Sequence, residues 1–457
     1  MIEKKEIYEY LKNNGFLIKN AEIYQGLENS WDLGPYGVEL KRNIKKLWWK
    51  YFITSEPYNV GTDTLIITHP SVLKSSGHLK NFCDWVVECK NCLNRYRLDK
   101  IVSKDIFSNF LSSKSKENFS FSEKCEKCNK VNFFPPYQVN LMFYINLKKG
   151  KDKKIAYLRP ETCQGIFINL FSVKKSVRKK FPFGIGQIGK SFRNETTLKH
   201  GIFRTREFEQ MELEFFYLEE NEREKWWKYW ENKSWNFLQK IIQKQENIKK
   251  VNLNSYELPH YAKKTLDLYF KYHFGWGELC SNSDRDNYDL LQHSKYYKKW
   301  EGKNNEISIP RVIEVSFGVE RIMLAILEDS FETEKENLKR NYNFLKINPL
   351  FSPFFAAIMP YSKKLKDKSY DLYLKLLSKF QFNITFEEGK DIRECYKRQD
   401  IIGTYFCLTF DFQSLKDEKV TIRERDSRIQ IRLNISSIEE VLEKKYNNFF
   451  KIFFNNL

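Results

Sequence analysis

Residues 187–216 read QIGKSFRNETTLKHGIFRTREFEQMELEFF, two alternating arms about a basic, Gly-containing connection from Thr196 to Thr205. At period two, the first arm puts Gln187, Gly189, Ser191, Arg193 and Glu195 on one side of a strand and Ile188 and Phe192 on the other. In the second arm Phe208, Gln210, Glu212 and Glu214 face one way, and Met211, Leu213 and Phe215 the other. The pattern predicts a hairpin with an apolar back. Its front concentrates Arg193, Glu195, Arg204, Arg206, Glu207, Gln210 and Glu212. Arg forks grip phosphate oxygens bidentately, and carboxylates beside them suit an ammonium group. The alternative is a solvated surface of ion pairs, which is nearly neutral in energy and does not call for such density.

Working outward, AEIYQGLENSWDLGPYGVEL (21–40) contains a Gly34-Pro35 turn, after which Val38, Ile44, Leu47, Trp48, Tyr51 and Phe52 recur at helical spacing. THPSVLKSSGH (68–78) and YLRPETCQGIFIN (157–169) precede the hairpin. Downstream, RVIEVSFGVERIMLAIL (311–327) reads as a strand with Glu314 and Ser316 on one face, a tight turn at Gly318, and a helix. That helix carries Arg321 with Ile322, Met323, Ile326 and Leu327 behind it.

Together these segments resemble class II aminoacyl-tRNA synthetases, in the wording of the dimeric glycyl-tRNA synthetases. Residues 187–216 are similar to motif 2, 68–78 to the end of motif 1 with Pro70 at a dimer interface, and 311–327 to motif 3. The segment around Glu161 looks like the glycine-enzyme signature. The helix after Pro35 reads equally as a plain core helix or as part of a dimer face. The resemblance implies an α+β protein: an antiparallel β-sheet catalytic domain with helices, and a C-terminal α/β anticodon-binding domain.

It also implies a chemistry. ATP and glycine would form glycyl-adenylate, and glycine would pass to tRNA(Gly), with Mg²⁺ accompanying ATP and Glu278 as a candidate ligand. Arg193, Arg321 and Glu161 are the implied catalytic residues. ATP contacts fall on Arg193, Asn194, Glu195, Phe203, Arg204, Thr205, Arg206, Glu207, Phe208, Glu278, Leu279, Gly318, Val319, Glu320 and Arg321. Within that set Phe203 or Phe208 stacks on adenine, and Arg204 and Arg321 hold the outer phosphates. Glycine contacts fall on Arg97, Glu161, Phe208, Glu209, Gln210, Met211, Glu212, Glu314, Ser316 and Gly318. A site for the smallest amino acid rejects larger ones by clash, so no editing domain is expected.

Nine cysteines are an odd number for a disulfide framework, and the start MIEKKEIYEYLKNNGF lacks an apolar signal region, so a reduced cytoplasm is expected. Cys89-x2-Cys92 and Cys125-x2-Cys128 form two knuckles that suit structural zinc. The alternative is a pair of reduced turns whose metal site has lapsed. The insert between them is of low complexity and is expected to be mobile. No apolar run reaches the roughly 18 residues of a membrane span. Formal net charge of +19 favours a polyanionic partner such as tRNA, although a Lys, Asn, Ile and Phe bias in composition accounts for part of it.

The 457 residues allow about three domains. Residues 1–85 and 139–340 read as the catalytic domain and 86–138 as an inserted Cys-knuckle module. Residues 219–305 read as a helical insertion whose Trp226, Trp227, Trp230 and Trp235 belong to core rather than to an RNA-stacking surface. A charged helix, 331–343, leads to the anticodon-binding domain, 347–457, where strand and helix alternate. There Arg393, Glu394 and Cys395 stand where the family has a Gly and two basic residues, and Tyr405 replaces a Pro. CSNSDR (280–285) likewise departs from the family's WGIADR. A non-catalytic nucleic-acid-binding paralogue is the competing expectation, but it would shed the nucleotide Arg and the carboxylates, which all stand here. A threonine, proline, serine or histidine enzyme of the same class is disfavoured by the Glu-rich signatures.

Overall fold

The computed structural model describes residues 4–113, 116, 119–149, 152–196, 198, 200–255, 257–294, 309–334 and 340–455. Its centre is a seven-stranded sheet built from β1 (Asn59–Gly61), β2 (Phe183–Phe192), β3 (Glu207–Tyr217), β4 (Ile248–Asn252), β5 (Lys264–Tyr272), β6 (Gly275–Asp286) and β7 (Arg311–Gly318). The spatial order is β4-β5-β6-β7-β3-β2-β1, and every pairing is antiparallel except β2 with β1.

Register sorts the side chains into two faces, because neighbours at the same height point the same way. One row crosses five strands as Asp267, Ser281, Ser316, Glu212 and Gln187. The next row of the same face is Thr265, Ser283, Glu314, Glu214 and Ile185. The opposite face presents Leu266, Leu268, Val315, Phe317, Met211, Leu213 and Phe215 to the main core. Helices α1 (Pro35–Trp49), α2 (Cys163–Val177), α3 (Arg223–Ile241) and α4 (Val319–Ser330) surround the sheet. Leu40, Ile44 and Trp48 of α1 and Ile322, Met323 and Leu327 of α4 share the core with those strands. Each such side chain contributes about 1.5–3 kcal/mol on burial. Pro35 opens α1 at its first position, where a missing N–H costs nothing.

The 219–305 segment requires a correction. Helix α3 is present, and Trp226, Trp227 and Trp230 are buried in the core as expected. The segment is not a helical insertion, however: residues 248–286 supply three strands of the main sheet. Residues 295–305 lie outside the described part. Nor do the described residues of 331–343 form a helix; Phe331–Glu332 pair as a short strand with Phe344–Leu345. Residues 335–339 are not among those described.

The Cys-knuckle module rests on a small sheet, Cys83–Glu88 flanked by Arg95–Arg97 and Tyr137–Asn140. The insert between the knuckles contains the helix Lys104–Ser112, whose Phe110 is buried beside Val87 and Tyr96, so this part of it is packed.

Beyond residue 350, β8 (Ala356–Pro360), β9 (Ile384–Phe386), β10 (Phe406–Phe410), β11 (Lys419–Glu424) and β12 (Gln430–Asn434) form a mixed sheet in the order β9-β8-β10-β11-β12. Helices Lys366–Leu377, Ile392–Ile402 and Ile438–Phe454 cover it. Arg393 lies in the first turn of its helix and needs no left-handed backbone, so the absent Gly has no conformational cost there. Tyr405 is buried against Phe355 and Phe449.

Candidate active site

The polar face of the sheet is the floor of a cavity of about 290 Å³. Both Arg193 and Arg321 line it, and so do Glu161, Glu212 and Glu314. Two ends can be distinguished by chemistry.

At one end stand the guanidinium groups. Arg193 follows β2, and its Nε donates to the Pro160 carbonyl at 3.0 Å. Its guanidinium lies 5.2 Å from the centre of the Phe208 ring. Arg321, in the first turn of α4, stacks 4.6 Å over the Phe203 ring and pairs with Glu278 at 2.9 Å. Gly318 has an ordinary φ of −86°, so no tight turn is needed there. What its missing side chain provides is room for the Arg321 stem, which would lie 3.2 Å from a Cβ. Arg204 pairs with Glu195 at 2.6 Å. Carboxylates thus hold Arg204 and Arg321 at the cavity wall.

At the other end is a buried carboxylate cluster. Glu161 accepts from the Cys163 thiol at 2.9 Å and from Gln164 Nε2 at 3.2 Å, and faces His78 Nε2 at 3.2 Å. Burial raises the Glu161 carboxyl, but His78, Arg285 and the Cys163 thiol together hold it well below the usual range. Glu212 accepts from Ser316 Oγ at 2.9 Å, from the Thr162 backbone N–H at 3.1 Å and from the Thr162 hydroxyl. Burial and the nearby Glu161 charge raise it. Glu314 accepts from Arg285 Nη1 at 2.8 Å; burial pushes it up to about 8 even so. Arg285 also clasps Asp289 through Nε and Nη2, at 2.7 and 3.0 Å, and lies 3.7 Å over the Tyr261 ring. Carboxylates outnumber cations here, which is an environment for an arriving ammonium group.

The remaining expected residues divide. Phe203, Thr205, Phe208, Gln210, Gly318 and Glu320 line the same cavity. The side chains of Glu209, Met211, Leu279 and Val319 do not. Glu209 points to the back, where it pairs with Lys41 and Lys45 at 2.6 Å each. Met211, Leu279 and Val319 are in the hydrophobic core. In each case period two, or the helix turn, carries the side chain away from its neighbours. Glu207 pairs with Lys190 at the surface. Asn194 and Arg206 border a neighbouring cavity beside the Cys-knuckle module. Arg97 lines another adjoining cavity and is held by Asp99 at 2.9 and 3.0 Å and by Asp84 at 3.4 Å.

His78, Thr162, Gln164, Tyr261, Asp267 and Asp289 were not singled out from the sequence, and Arg285 was noted without a role. A signal existed for one pair: Arg285 and Asp289 stand four apart, and their side chains meet across that spacing.

The four knuckle cysteines meet as well. Their Sγ atoms all lie within 4.8 Å of one another, with Cys89–Cys128 and Cys92–Cys125 each at 3.5 Å. Tetrahedral zinc with Zn–S bonds of 2.3 Å would set such edges at about 3.8 Å, so the donor set fits the metal.

Residues 143–330 match the tRNA synthetase class II core domain (G, H, P, S and T), and 356–445 match an anticodon binding domain. The glycine–tRNA ligase of Clostridium acetobutylicum is 44% identical over 456 residues, covering 96% of this chain and 98% of its own length. That of Mycoplasma mycoides is 43% identical over 97% of this chain and 99% of its own length. The chain belongs to the glycine–tRNA ligase family. A prolyl-tRNA synthetase of Cryptosporidium parvum, 11% identical, superposes with a TM-score of 0.62 over 98% of this chain and 76% of that one, which establishes the common fold. The family's class II core contains β2 to β7 and the arginine and glutamate ends of the cavity, whereas His78 and the knuckles lie before it in the chain.

Proposed function

We propose that this chain joins glycine to tRNA(Gly) in two steps within the cavity. A carboxylate oxygen of glycine attacks the α-phosphorus of ATP; the O–P bond to pyrophosphate breaks and glycyl-adenylate forms. The 3′-terminal hydroxyl of the tRNA then attacks the glycyl carbonyl, AMP leaves, and the ester remains. One observation supports this above others: Arg193, Arg321 and the buried glutamates line a single cavity.

Reactions of this kind need positioning and charge stabilisation more than a covalent catalyst. Arg193 meets the charge that grows on the α-phosphate oxygens. Arg204 and Arg321 exchange their carboxylate partners for the outer phosphates, while Phe208 and Phe203 flank the base. Glu278, paired with Arg321 at the cavity wall, is a carboxylate that would hold the Mg²⁺ of an ATP complex, whose charge would offset that of the phosphates. Glu161, Glu212 and Glu314, with Ser316, receive the glycine ammonium.

The thiolate tetrad holds a structural zinc in this account. With four sulfur donors the coordination sphere is closed, so the metal has no part in the chemistry. The active form is a homodimer. Tyr144 and Ile155 are exposed on one face of the small sheet Ile67–Thr68, Tyr144–Lys149 and Asp152–Leu158, and Ile67 and Leu147 on the other, apolar surface that supports contact with a second copy. Nine unpaired cysteines fit a reduced cytoplasm, and no helix among the described residues is long and apolar enough to cross a membrane.

ATP–pyrophosphate exchange tested with each of the twenty amino acids examines the assignment. Glycine alone should drive it. Exchange driven by alanine or serine as readily, or by none, would overturn the substrate.

A further inference from the structure

Glu214 is a carboxylate of the cluster for which the two-step reaction has no use, and unlike Asp289 it has no cation clasping it among the described residues. It sits at the middle of β3, directly opposite Glu314 on β7 and beside Ile185 on β2. Its side chain is wholly buried and is not part of the cavity wall. Neither carboxyl oxygen has a hydrogen-bond partner among the described residues. One of its oxygens, a Glu314 oxygen and Cys163 Sγ lie within 4.8 Å of one another. An unpaired buried carboxylate is far costlier than a buried carboxylic acid. A row of two glutamates, side by side and out of water, therefore holds at least one proton.

We propose that Glu214 is a positioning residue for the amino-group site: a neutral carboxylic acid behind Glu314 that donates its O–H to Glu314 when Glu314 ionises against the substrate ammonium. The proposal rests on the reading that this end of the cavity takes glycine's amino group. The bond requires the two carboxyls, now with oxygens within 4.8 Å, to draw together. Glu314 then gains a second donor besides Arg285, and its ionised form is favoured. The groups facing Glu214 are Glu314 from β7, Glu212 from its own strand, Arg285 and Asp289 from the end of β6 and the helix after it, and Cys163 from α2. Arg285 is already shared between Glu314 and Asp289 and makes no bond to Glu214. Burial and the Glu314 charge both raise Glu214, in keeping with a retained proton.

The test is glycine-dependent ATP–pyrophosphate exchange from pH 6 to 9 in the full-length protein and in Glu214→Gln and Glu214→Leu, with KM for ATP as the internal reference. Gln is neutral and keeps a donor, so E214Q should hold the parent's glycine KM within about twofold and leave its pH profile in place. Leu removes the donor. E214L should raise the glycine KM about tenfold with the ATP KM unchanged, because a hydrogen bond to a charged group is worth roughly that much. The acid limb of its glycine kcat/KM should move to higher pH, since Glu314 loses help in ionising. If Glu214 were instead ionised, both variants would relieve repulsion and the limb would move to lower pH, which overturns the proposal. So does a folded E214L with the parent's KM and profile. Should E214L fail to fold, the unmoved or acid-shifted limb of E214Q decides alone. A parent protein without glycine-dependent exchange would defeat the substrate reading itself, a different failure from an active parent whose limb moves the wrong way.

Discussion

Arg193 and Glu314 show how single side chains divide the work. Arg193 is fixed from behind by the Pro160 carbonyl and from the sides by the Phe82 and Phe208 rings. Among the described residues it has no carboxylate partner to support, so its loss should leave the fold intact. Arg193→Ala should lower glycine-dependent exchange by about 10²- to 10⁴-fold with an unchanged melting transition, as loss of a charge-stabilising donor does. Exchange at the parent rate would remove its role. Glu314 makes a prediction about pH. Its carboxyl sits near 8 in the folded chain, through burial first and the neighbouring Glu212 and Glu161 charges after, against a usual value of about 4.3. Between those values the folded state holds the proton that the unfolded state has released. Glu314 is therefore well tolerated below about pH 4.3, and stability is progressively lost as pH rises towards 8. Glu314→Gln should remove that slope, so that its melting temperature exceeds the parent's by about 2 °C or more at pH 8 and by less at pH 5. Equal differences at both pH values would contradict the assignment of a proton to this site. Apart from the four-residue spacing of Arg285 and Asp289, the residues that sequence reading missed, Thr162 and Gln164 among them, carry no pattern, because buried polar clusters follow no hydrophobic period.

At the scale of elements, the back of the sheet is as consequential as the front. Glu209 bridges Lys41 and Lys45 of α1, and its backbone N–H donates to Glu320 of α4 at 2.8 Å. This clasp ties strand to both helices. Glu209→Ala leaves Lys41 largely buried beside Glu320 alone and should destabilise the domain by about 1–3 kcal/mol. Exchange activity should stay within about twofold, because the side chain faces away from the cavity; a large loss of activity at full stability would reverse that placement. The same two-sidedness explains what could be read in advance. The alternation of residues 187–192 and 207–217 marked the hairpin and its apolar back, and the Glu314–Ser316 face was equally plain, but the pairing register was not legible and the first strand ends at Phe192, short of Arg193 and Glu195. Alternation also marked which members of EFEQMEL point forward, yet resemblance assigned Glu209 and Met211 to glycine regardless. Strands β4 to β6 escaped notice because β6 carries Asn282, Ser283, Asp284 and Arg285 in buried positions. A strand that is polar on a concealed face looks like a surface loop until its partners are known.

For the whole molecule, the sheet gathers chemistry from segments more than 200 residues apart, His78 and Arg321 among them. Composition contributed the polyanion expectation, and the resemblance contributed the two-domain plan that the matched families bear out. If the four cysteines hold zinc as proposed, the Cys-knuckle module has its own stability requirement. Metal analysis of protein purified without chelator should find about one zinc per chain, and removal should loosen residues 83–140 while the main sheet persists; protein free of zinc with this module intact would show that the thiols suffice. The account stands most directly on one arrangement in space. A crystal structure with a non-hydrolysable glycyl-adenylate analogue measures it. The analogue's phosphate mimic should lie against Arg193, and its ammonium among Glu161, Glu212 and Glu314. An ammonium group bound away from those carboxylates, or a phosphate mimic out of reach of Arg193, would contradict it.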